Sequence, residues 1–276
     1  MNLFEAILLG TIQGLTEFLP VSSSGHLVLF QHLFGIRQPE LFFDICLHAG
    51  TLLATLLVFF QEIRSILITV AGIPVLGRRA GGIRPLFDTN QDFRMLVLIV
   101  AGSVPTGILG LLFHEVADSL FSSLPLVGLM LIATGTLLWV TRRLDTSGRP
   151  VSAMGLKDAL LVGLVQGLAI IPGISRSGST ISVALLLNID RETAGRYSFL
   201  LSLPAIAAAT VMGIESGLIE KSGASVAALI GGTLAAALIG YLALKMLLRI
   251  IKHGRLYMFS PYCWAIGVLA LIISRV

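Results

Sequence analysis

Six apolar runs, each close to the length of one membrane crossing, constrain this chain more than any other feature of its sequence. An α-helix needs about 17–25 mostly apolar residues to cross the hydrocarbon core of a bilayer. The composition agrees, because 55% of the residues are hydrophobic and only 12% are charged, whereas soluble domains carry about 25% charged residues. We therefore predict a single all-α polytopic membrane domain over residues 1–276. Its six transmembrane helices are expected at about 41–60, 95–114, 124–141, 196–214, 225–248 and 261–274.

Two further apolar stretches, 3–34 and 156–189, are interrupted near the middle by proline, glycine and several serines. Non-helical backbone at membrane depth survives only where protein or a water-filled cavity satisfies its polar groups. We therefore predict that both stretches form re-entrant helix–turn–helix hairpins. The segment 62–77 is apolar but contains Arg64 and Pro74, which suits a helix lying at the membrane interface.

The basic residues are unevenly distributed among the connecting loops. Lysine and arginine are concentrated at 78–94, 142–157 and 249–255, whereas 115–123 has none and 215–224 has a single lysine. Because cytoplasmic loops carry the excess of Lys and Arg, we expect the first three loops to face the cytoplasm and the other two to face outward. The six spans then alternate consistently, with both chain ends outside. The first hairpin enters from the outer side and the second from the cytoplasm.

The two hairpins are related in sequence. At an offset of 153 residues, 3–25 and 156–178 align without a gap and are identical at 10 of 23 positions. The identities include a Gly-x-x-Gln-Gly core and a Ser-x-Ser-Gly turn, which chance similarity between apolar helices would not readily produce. Entering from opposite sides, the copies predict an inverted-topology repeat, with repeat one at about 1–141 and repeat two at about 154–276. In such an architecture the functional site lies near the midplane, between the repeats.

Three ionisable residues, Glu17, His26 and Arg176, lie in or beside the two hairpin turns. An ionised group at membrane depth costs about 2.5–3.5 kcal/mol even on the most lenient insertion scale, so such groups are functional candidates. A purely structural ion pair between Glu17 and Arg176 is the alternative. It would leave His26 and the clustered hydroxyls unexplained.

Both turns have the composition of an anion-binding site. In each copy Ser-x-Ser-Gly follows a proline or glycine and precedes a helix, whose start offers free backbone N–H groups and a positive dipole end. Arg176 can bind phosphate oxygens bidentately, and a serine can act as a nucleophile if a base lies beside it. His26 could be that base, or the acid that protonates the leaving group. Glu17 could orient His26, take a proton itself, or hold a divalent cation that bridges a pyrophosphate.

Polar residues outside the turns are few. Asp44 and His48 are four residues apart in the first span and share a helix face, which fits either a cavity lining or, as we prefer, a structural pair near the outer end. Ser198 and Ser202 lie in the corresponding span of the second repeat and could be polar groups of a cavity.

The two turn motifs resemble the signatures of a known enzyme family. The segments 13–26 and 172–180 read QGLTEFLPVSSSGH and PGISRSGST. They are similar to the first and second signatures of the bacitracin-resistance family of undecaprenyl pyrophosphate phosphatases. The likeness extends over nearly the whole chain in length, span pattern and order of segments.

The resemblance implies hydrolysis of undecaprenyl pyrophosphate to undecaprenyl phosphate and inorganic phosphate. This reaction recycles the lipid carrier of peptidoglycan synthesis and confers resistance to bacitracin. The resemblance also implies a bacterial plasma (inner) membrane location, with an active site open to the outer (periplasmic) side. It implies dependence on a divalent cation, Mg²⁺ or Ca²⁺, and no organic cofactor is expected.

The residues and the resemblance together define a predicted site. Its catalytic groups are Glu17, Ser23, His26 and Arg176, and its phosphate-binding groups are Ser22, Ser24, Ser175, Ser177 and Thr180. Ser23 and His26 are both candidates for the nucleophile. Many family members have glutamate where this chain has Gln13, so Gln13 either joins Glu17 as a metal ligand through its amide oxygen or only hydrogen-bonds at the base of the hairpin.

Two other functions fit part of the pattern. Type-2 phosphatidic acid phosphatases also have a Ser-Gly-His element, but they need an arginine followed by histidine and aspartate, and no histidine follows Arg176 until His253. The inverted repeat also suits a transporter or flippase of a polyprenyl phosphate carrier, since fold alone does not decide function. The expected partners are a polyprenyl pyrophosphate substrate and membrane lipids. No nucleic-acid partner is expected. Whether the chain forms a homodimer is left undecided by the sequence.

Overall fold

A computed structural model describes residues 2–33, 41–114, 116–144, 148–215 and 225–275. Within these ranges the chain is almost entirely helical and contains no β-strand, only an isolated bridge between Arg149 and Ile189. The predicted all-α class is therefore confirmed. Most of the 215–224 loop used in the orientation argument lies outside the described residues.

The described residues form thirteen α-helices, which we number in chain order. They are α1 (Leu3–Phe18), α2 (Ser23–Leu33), α3 (Leu41–Val58), α4 (Phe60–Ala80), α5 (Ile83–Thr89), α6 (Gln91–His114), α7 (Ala117–Phe121), α8 (Leu124–Val140), α9 (Leu156–Leu168), α10 (Arg176–Leu186), α11 (Arg191–Glu215), α12 (Val226–Lys252) and α13 (Ser260–Ile273). Short 3₁₀ turns occur at Thr141–Arg143, Val151–Ala153 and Leu256–Phe259.

Six helical segments in the described part of the chain are long and apolar enough to cross a membrane. They are Phe60–Ala80, Gln91–Phe113, Leu124–Arg143, Arg191–Met212, Val226–Lys252 and Leu256–Ile273. Leucine, isoleucine and valine side chains remain exposed along them, as expected of helices that face lipid. The chain is a multi-pass membrane protein.

The region of the first predicted span differs from the sequence-based expectation. The apolar part of α3 is Phe42–Val58, at the lower limit of the length that crosses a bilayer, whereas α4 is longer and has the composition of a span. The helix α4 continues through Pro74 to a left-handed glycine cap at Gly81. The break between α3 and α4 is a single residue, Phe59. The placement of 62–77 at the membrane interface stays a prediction.

Each predicted hairpin is a helix, a short turn and a second helix, and its first helix packs on a long helix of the other half of the chain. A Cβ atom added to Gly10 of α1 would lie 2.2 Å from the carbonyl oxygen of Gly232 in α12. A Cβ atom added to Gly163 of α9, the counterpart of Gly10, would lie 2.0 Å from the carbonyl oxygen of Gly102 in α6. Backbones approach this closely where the helices present glycine or another small residue at the contact. The two halves of the chain are therefore packed into each other.

The turns of the two hairpins meet inside the molecule. Phe18, the last residue of α1, lies against Gly240 near the middle of α12. The hydroxyl of Ser177, at the start of α10, donates to the carbonyl oxygen of Phe18 over 2.9 Å. A Cβ atom at Gly178 would lie 3.1 Å from the Pro20 side chain. The ends of α1 and the start of α10 are thus in direct contact.

The hydrogen bond from Ser177 to Phe18 should contribute measurably to stability. Replacing Ser177 with alanine leaves the Phe18 carbonyl without that donor in a buried place, so we expect Ser177→Ala to lower the free energy of unfolding by about 1 kcal/mol. The matched control is Ser182→Ala in the same helix, because the buried hydroxyl of Ser182 has no hydrogen-bond partner in the part of the chain that the structure describes. Thermal unfolding in detergent should show a lower Tm for the first variant and no decrease for the second. Equal melting temperatures would contradict this role of Ser177.

Candidate active site

The two turns cap their following helices in the same way. Ser22 accepts a hydrogen bond from the backbone N–H of Gly25 over 3.2 Å, and Ser175 accepts one from Gly178 over 3.1 Å. These pairs are related by the 153-residue offset found in the sequence. The helices α2 and α10 therefore begin with equivalent serine caps, and both starts lie at the contact between the hairpins. Ser22 adopts a left-handed backbone conformation, with φ of 70°, which is uncommon outside glycine and often marks a functional turn.

Glu17 is the central group of the site. One of its carboxylate oxygens forms an ion pair with Nη2 of Arg176. The other oxygen accepts a hydrogen bond from the Ser23 hydroxyl over 2.6 Å and another from Nε2 of Gln13 over 2.9 Å. The Glu17 side chain is only 5% exposed. A buried carboxylate thus joins three of the predicted site residues from both hairpins.

Arg176 keeps part of its donor capacity free. Its Nη1 is buried and has no hydrogen-bond partner among the described residues. A buried guanidinium nitrogen without a partner is unfavourable, and an anionic oxygen beside it would satisfy it. The ion pair with Glu17 that the sequence suggested is present. This ion pair leaves Nη1 of Arg176 available for another hydrogen-bond acceptor.

His26 is held separately from Ser23. Its Nδ1 lies 2.8 Å from the carbonyl oxygen of Ser22, and its Nε2 lies 2.8 Å from the hydroxyl oxygen of Tyr262 in α13. The His26 and Tyr262 rings are nearly parallel, with an interplanar angle of 3°. Tyr262 is not among the site residues predicted from the sequence, because a tyrosine at the start of an apolar helix has the pattern of an interfacial anchor.

His48 belongs to the site as well. Its Nδ1 lies 3.1 Å from Nε2 of Gln13 and 3.4 Å from the Glu17 carboxylate. His48 thus lines the site, as the cavity-lining alternative predicts, whereas a structural pair with Asp44 stays a prediction. The reason is tertiary: α1 and α3 both pack against α12, which brings this face of α3 beside the end of α1.

The remaining predicted hydroxyls make contacts within the protein. Ser24 lies 3.3 Å from the Ser22 hydroxyl, and Ser177 lies 3.4 Å from the Ser175 hydroxyl. Thr180 donates to the carbonyl oxygen of Arg176, one turn earlier. Thr180 also contacts the Ser198 hydroxyl, whereas Ser202 donates to the carbonyl oxygen of Phe199. Phosphate binding by the five predicted groups stays a prediction.

The arrangement offers the parts of a displacement at phosphorus. The Ser23 hydroxyl lies beside a carboxylate that can accept its proton. The other oxygen of that carboxylate is paired with a guanidinium, one nitrogen of which has no partner among the described residues. His26 lies one helical turn after the start of α2, close to the same turn. The residues that the structure describes contain no group of three His, Cys, Asp or Glu side chains that could hold a metal ion. A metal ion bound at this site would therefore need oxygen ligands that do not belong to a cluster of three such side chains.

The chain is similar to known proteins over nearly its whole length. The family model described as "Bacitracin resistance protein BacA" matches residues 6–269. A relative named undecaprenyl-diphosphatase in Desulfosudis oleivorans is 51% identical over 99% of both chains. Proteins of the same name are 49% identical in Desulfatibacillum aliphaticivorans, over 100% of both chains, and 46% identical in Desulforapulum autotrophicum, over 99% of this chain and 98% of the relative. Because the family model covers nearly the whole chain, this protein belongs to the BacA family of bacitracin resistance proteins.

Proposed function

We propose that this protein hydrolyses undecaprenyl pyrophosphate to undecaprenyl phosphate and inorganic phosphate. The observation that carries the proposal is the Ser23 hydroxyl, which lies 2.6 Å from a buried carboxylate whose other oxygen is paired with Arg176. The names of the relatives support the same reaction. The product is the lipid carrier of peptidoglycan synthesis, and removal of the pyrophosphate form accounts for bacitracin resistance.

In this proposal Ser23 is the nucleophile. Its oxygen forms a bond to the terminal phosphorus, its proton passes to Glu17, and the bond to the bridging oxygen breaks, which releases undecaprenyl phosphate. Water then attacks the phosphoserine and releases inorganic phosphate. His26 is the less favoured nucleophile, because both of its ring nitrogens are engaged by the Ser22 carbonyl and the Tyr262 hydroxyl.

The pyrophosphate is held by groups from both hairpins. Arg176 supplies Nη1, the buried nitrogen that has no partner among the described residues. The starts of α2 and α10 supply backbone N–H groups and the positive ends of two helix dipoles. The hydroxyls assigned to phosphate binding are those of Ser22, Ser24, Ser175, Ser177 and Thr180.

Removal of a charged or titratable site group should abolish most of the activity. We expect His26→Ala and Arg176→Ala each to lower kcat/KM for farnesyl pyrophosphate by at least about a hundredfold, the scale of losing one preorganised catalytic group. The matched control is His253→Ala, because His253 is exposed and its Nδ1 contacts only a backbone carbonyl one turn earlier. Phosphate release by detergent-purified protein is the measurement. Near-wild-type turnover of either site variant would refute the site, and absence of phosphate release by the wild type would favour a flippase.

We also propose that Glu17 and Gln13 hold a divalent cation, Mg²⁺ or Ca²⁺, together with phosphate oxygens of the substrate. Gln13 is fully buried, and its Oε1 has no hydrogen-bond partner in the described residues, so a hard oxygen ligand is available. Protein Mg²⁺ sites often combine one or two carboxylates with substrate phosphates. When bound, the cation would neutralise charge on the pyrophosphate.

The glutamine at position 13 makes this metal site testable. A second carboxylate strengthens the attraction for a divalent cation, so we expect Gln13→Glu to lower the Mg²⁺ concentration for half-maximal activity by about tenfold. Gln166→Glu, at the matching position of the second hairpin, should leave that concentration unchanged in the folded fraction. Titration of activity with Mg²⁺ after chelation is the measurement. An unaltered Mg²⁺ dependence of Gln13→Glu would remove Gln13 from the metal site.

We further propose that the two hairpins are re-entrant and that the chain is an inverted repeat, with halves at about 1–141 and 154–276. The equivalent serine caps and the reciprocal glycine contacts of α1 and α9 support this arrangement. So does Gln166, whose amide donates to the carbonyl of Leu201, as Gln13 contacts His48 at the same 153-residue offset. The distribution of Lys and Arg supports the proposed orientation of the spans. The plasma-membrane location and the opening of the site to the outer side rest on the resemblance to the family.

Cysteine labelling tests this orientation. In a variant without the native Cys46 and Cys263, a cysteine introduced by Ser119→Cys should react with a membrane-impermeant maleimide in intact cells, because Ser119 is exposed in the loop assigned to the outside. A cysteine introduced by Arg84→Cys, also at an exposed position, should react only after the membrane is permeabilised. The variant that lacks both native cysteines measures the background. The reverse pattern would overturn the orientation.

A further inference from the structure

The contact between His26 and Tyr262 links the first turn to the last helix of the chain. His26 lies in α2 and is 2% exposed, whereas Tyr262 lies in the first turn of α13 and is 45% exposed. The distance from Nε2 of His26 to the phenol oxygen is 2.8 Å. The contact joins residues 236 positions apart in the sequence. The sequence motifs of the two turns do not predict this contact.

The hydrogen-bond partners of His26 determine where its proton resides. The carbonyl oxygen of Ser22, 2.8 Å from Nδ1, can only accept a hydrogen bond, so Nδ1 carries a proton. In the neutral ring Nε2 is then bare and accepts the hydroxyl hydrogen of Tyr262. When Nε2 is protonated, it donates to the same phenol oxygen, because that oxygen has free lone pairs. The Tyr262 hydroxyl therefore satisfies both protonation states without movement of either ring.

Tyr262 is held in place by contacts of α13 with the first hairpin turn and with α8. The next residue, Cys263, is buried, and its thiol lies 3.5 Å from the carbonyl oxygen of Pro20. One turn further along, Gly267 packs on α8: a Cβ atom there would lie 2.7 Å from the carbonyl oxygen of Gly128. The close contact of α8 with α13 fixes the start of α13 and hence the position of the phenol.

We propose that Tyr262 is a positioning residue that holds His26 in its Nδ1-protonated form, with Nε2 reserved for proton exchange with a phosphate oxygen rather than with Ser23. After Nε2 has taken a proton from water, an oxygen of the leaving undecaprenyl phosphate replaces the phenol and receives that proton, which returns the ring to its neutral form. The phenol donates to the bare nitrogen again when that oxygen leaves. Glu17 thus accepts the proton of Ser23, and His26 donates the proton to the leaving group. The catalytic role of Tyr262 rests on the function proposed above, whereas its effect on the protonation and hydrogen bonding of the His26 ring does not.

Removal of the phenol oxygen tests the positioning role kinetically. Tyr262→Phe keeps the aromatic ring, and we expect it to lower kcat for farnesyl pyrophosphate by about tenfold, as loss of a supporting hydrogen bond to a functional histidine does, with KM changed less than about twofold. Tyr257→Phe is the matched control, because Tyr257 lies edge-on to Trp139 away from the site and should keep wild-type kinetics. In a His26→Ala background, Tyr262→Phe should have no further effect on kcat. Wild-type kcat in Tyr262→Phe, or the same tenfold loss without His26, would overturn the proposal.

The state of the ring tests the proposal without activity. With ¹⁵N-labelled histidine, the signals of His26 are identified by their absence in His26→Ala. We expect the wild type to show a protonated Nδ1 and a hydrogen-bonded Nε2, and Tyr262→Phe to shift Nε2 toward the position of an unbonded nitrogen. An Nε2 signal unaffected by Tyr262→Phe would overturn the positioning role. Inactive wild-type protein would instead refute the proposed function, and the Nε2 shift would still decide the role of Tyr262.

Discussion

The buried ion pair between Glu17 and Arg176 is the contact on which the candidate site depends. Each charge comes from a different hairpin, and each is largely withdrawn from solvent. A charge moved out of water is strongly unfavourable unless a partner and further hydrogen bonds compensate it, and breaking such a pair by removing one partner costs about 3–5 kcal/mol. Ser23 and Gln13 provide the further hydrogen bonds on Glu17. The charges that would act on the substrate are therefore stable only when both hairpins are docked.

The glycines of the hairpin helices make that docking possible. At Gly10 and Gly163 the backbone of a hairpin helix touches the backbone of a long helix from the other half of the chain. Helices in lipid gain little from apolar burial and depend instead on close packing, for which small residues are needed. The site thus depends on helix packing well away from the polar residues themselves.

The polar turns could be predicted from the sequence because their chemistry is local. Ionisable residues in apolar segments are rare, and the repeated Ser-x-Ser-Gly element marked both turns. The structure brings Glu17, Ser23 and Arg176 together as expected. His48 and Tyr262 could not be assigned in this way, since each reaches the site from a separate helix. Their contacts with Gln13, Glu17 and His26 arise from how α3 and α13 pack.

The sequence by itself determined that the chain is helical, that it crosses the membrane several times and that its clustered hydroxyls and ionisable residues lie in or beside two related turns. These properties follow from composition, run length and local motifs, which act within a few helical turns. Only the tertiary structure decided which group is the partner of each candidate catalytic side chain: Ser23 faces Glu17, whereas His26 faces Tyr262. Hydrogen bonds act over about 3 Å, and no pattern along the chain specifies distances of that size between residues of separate helices.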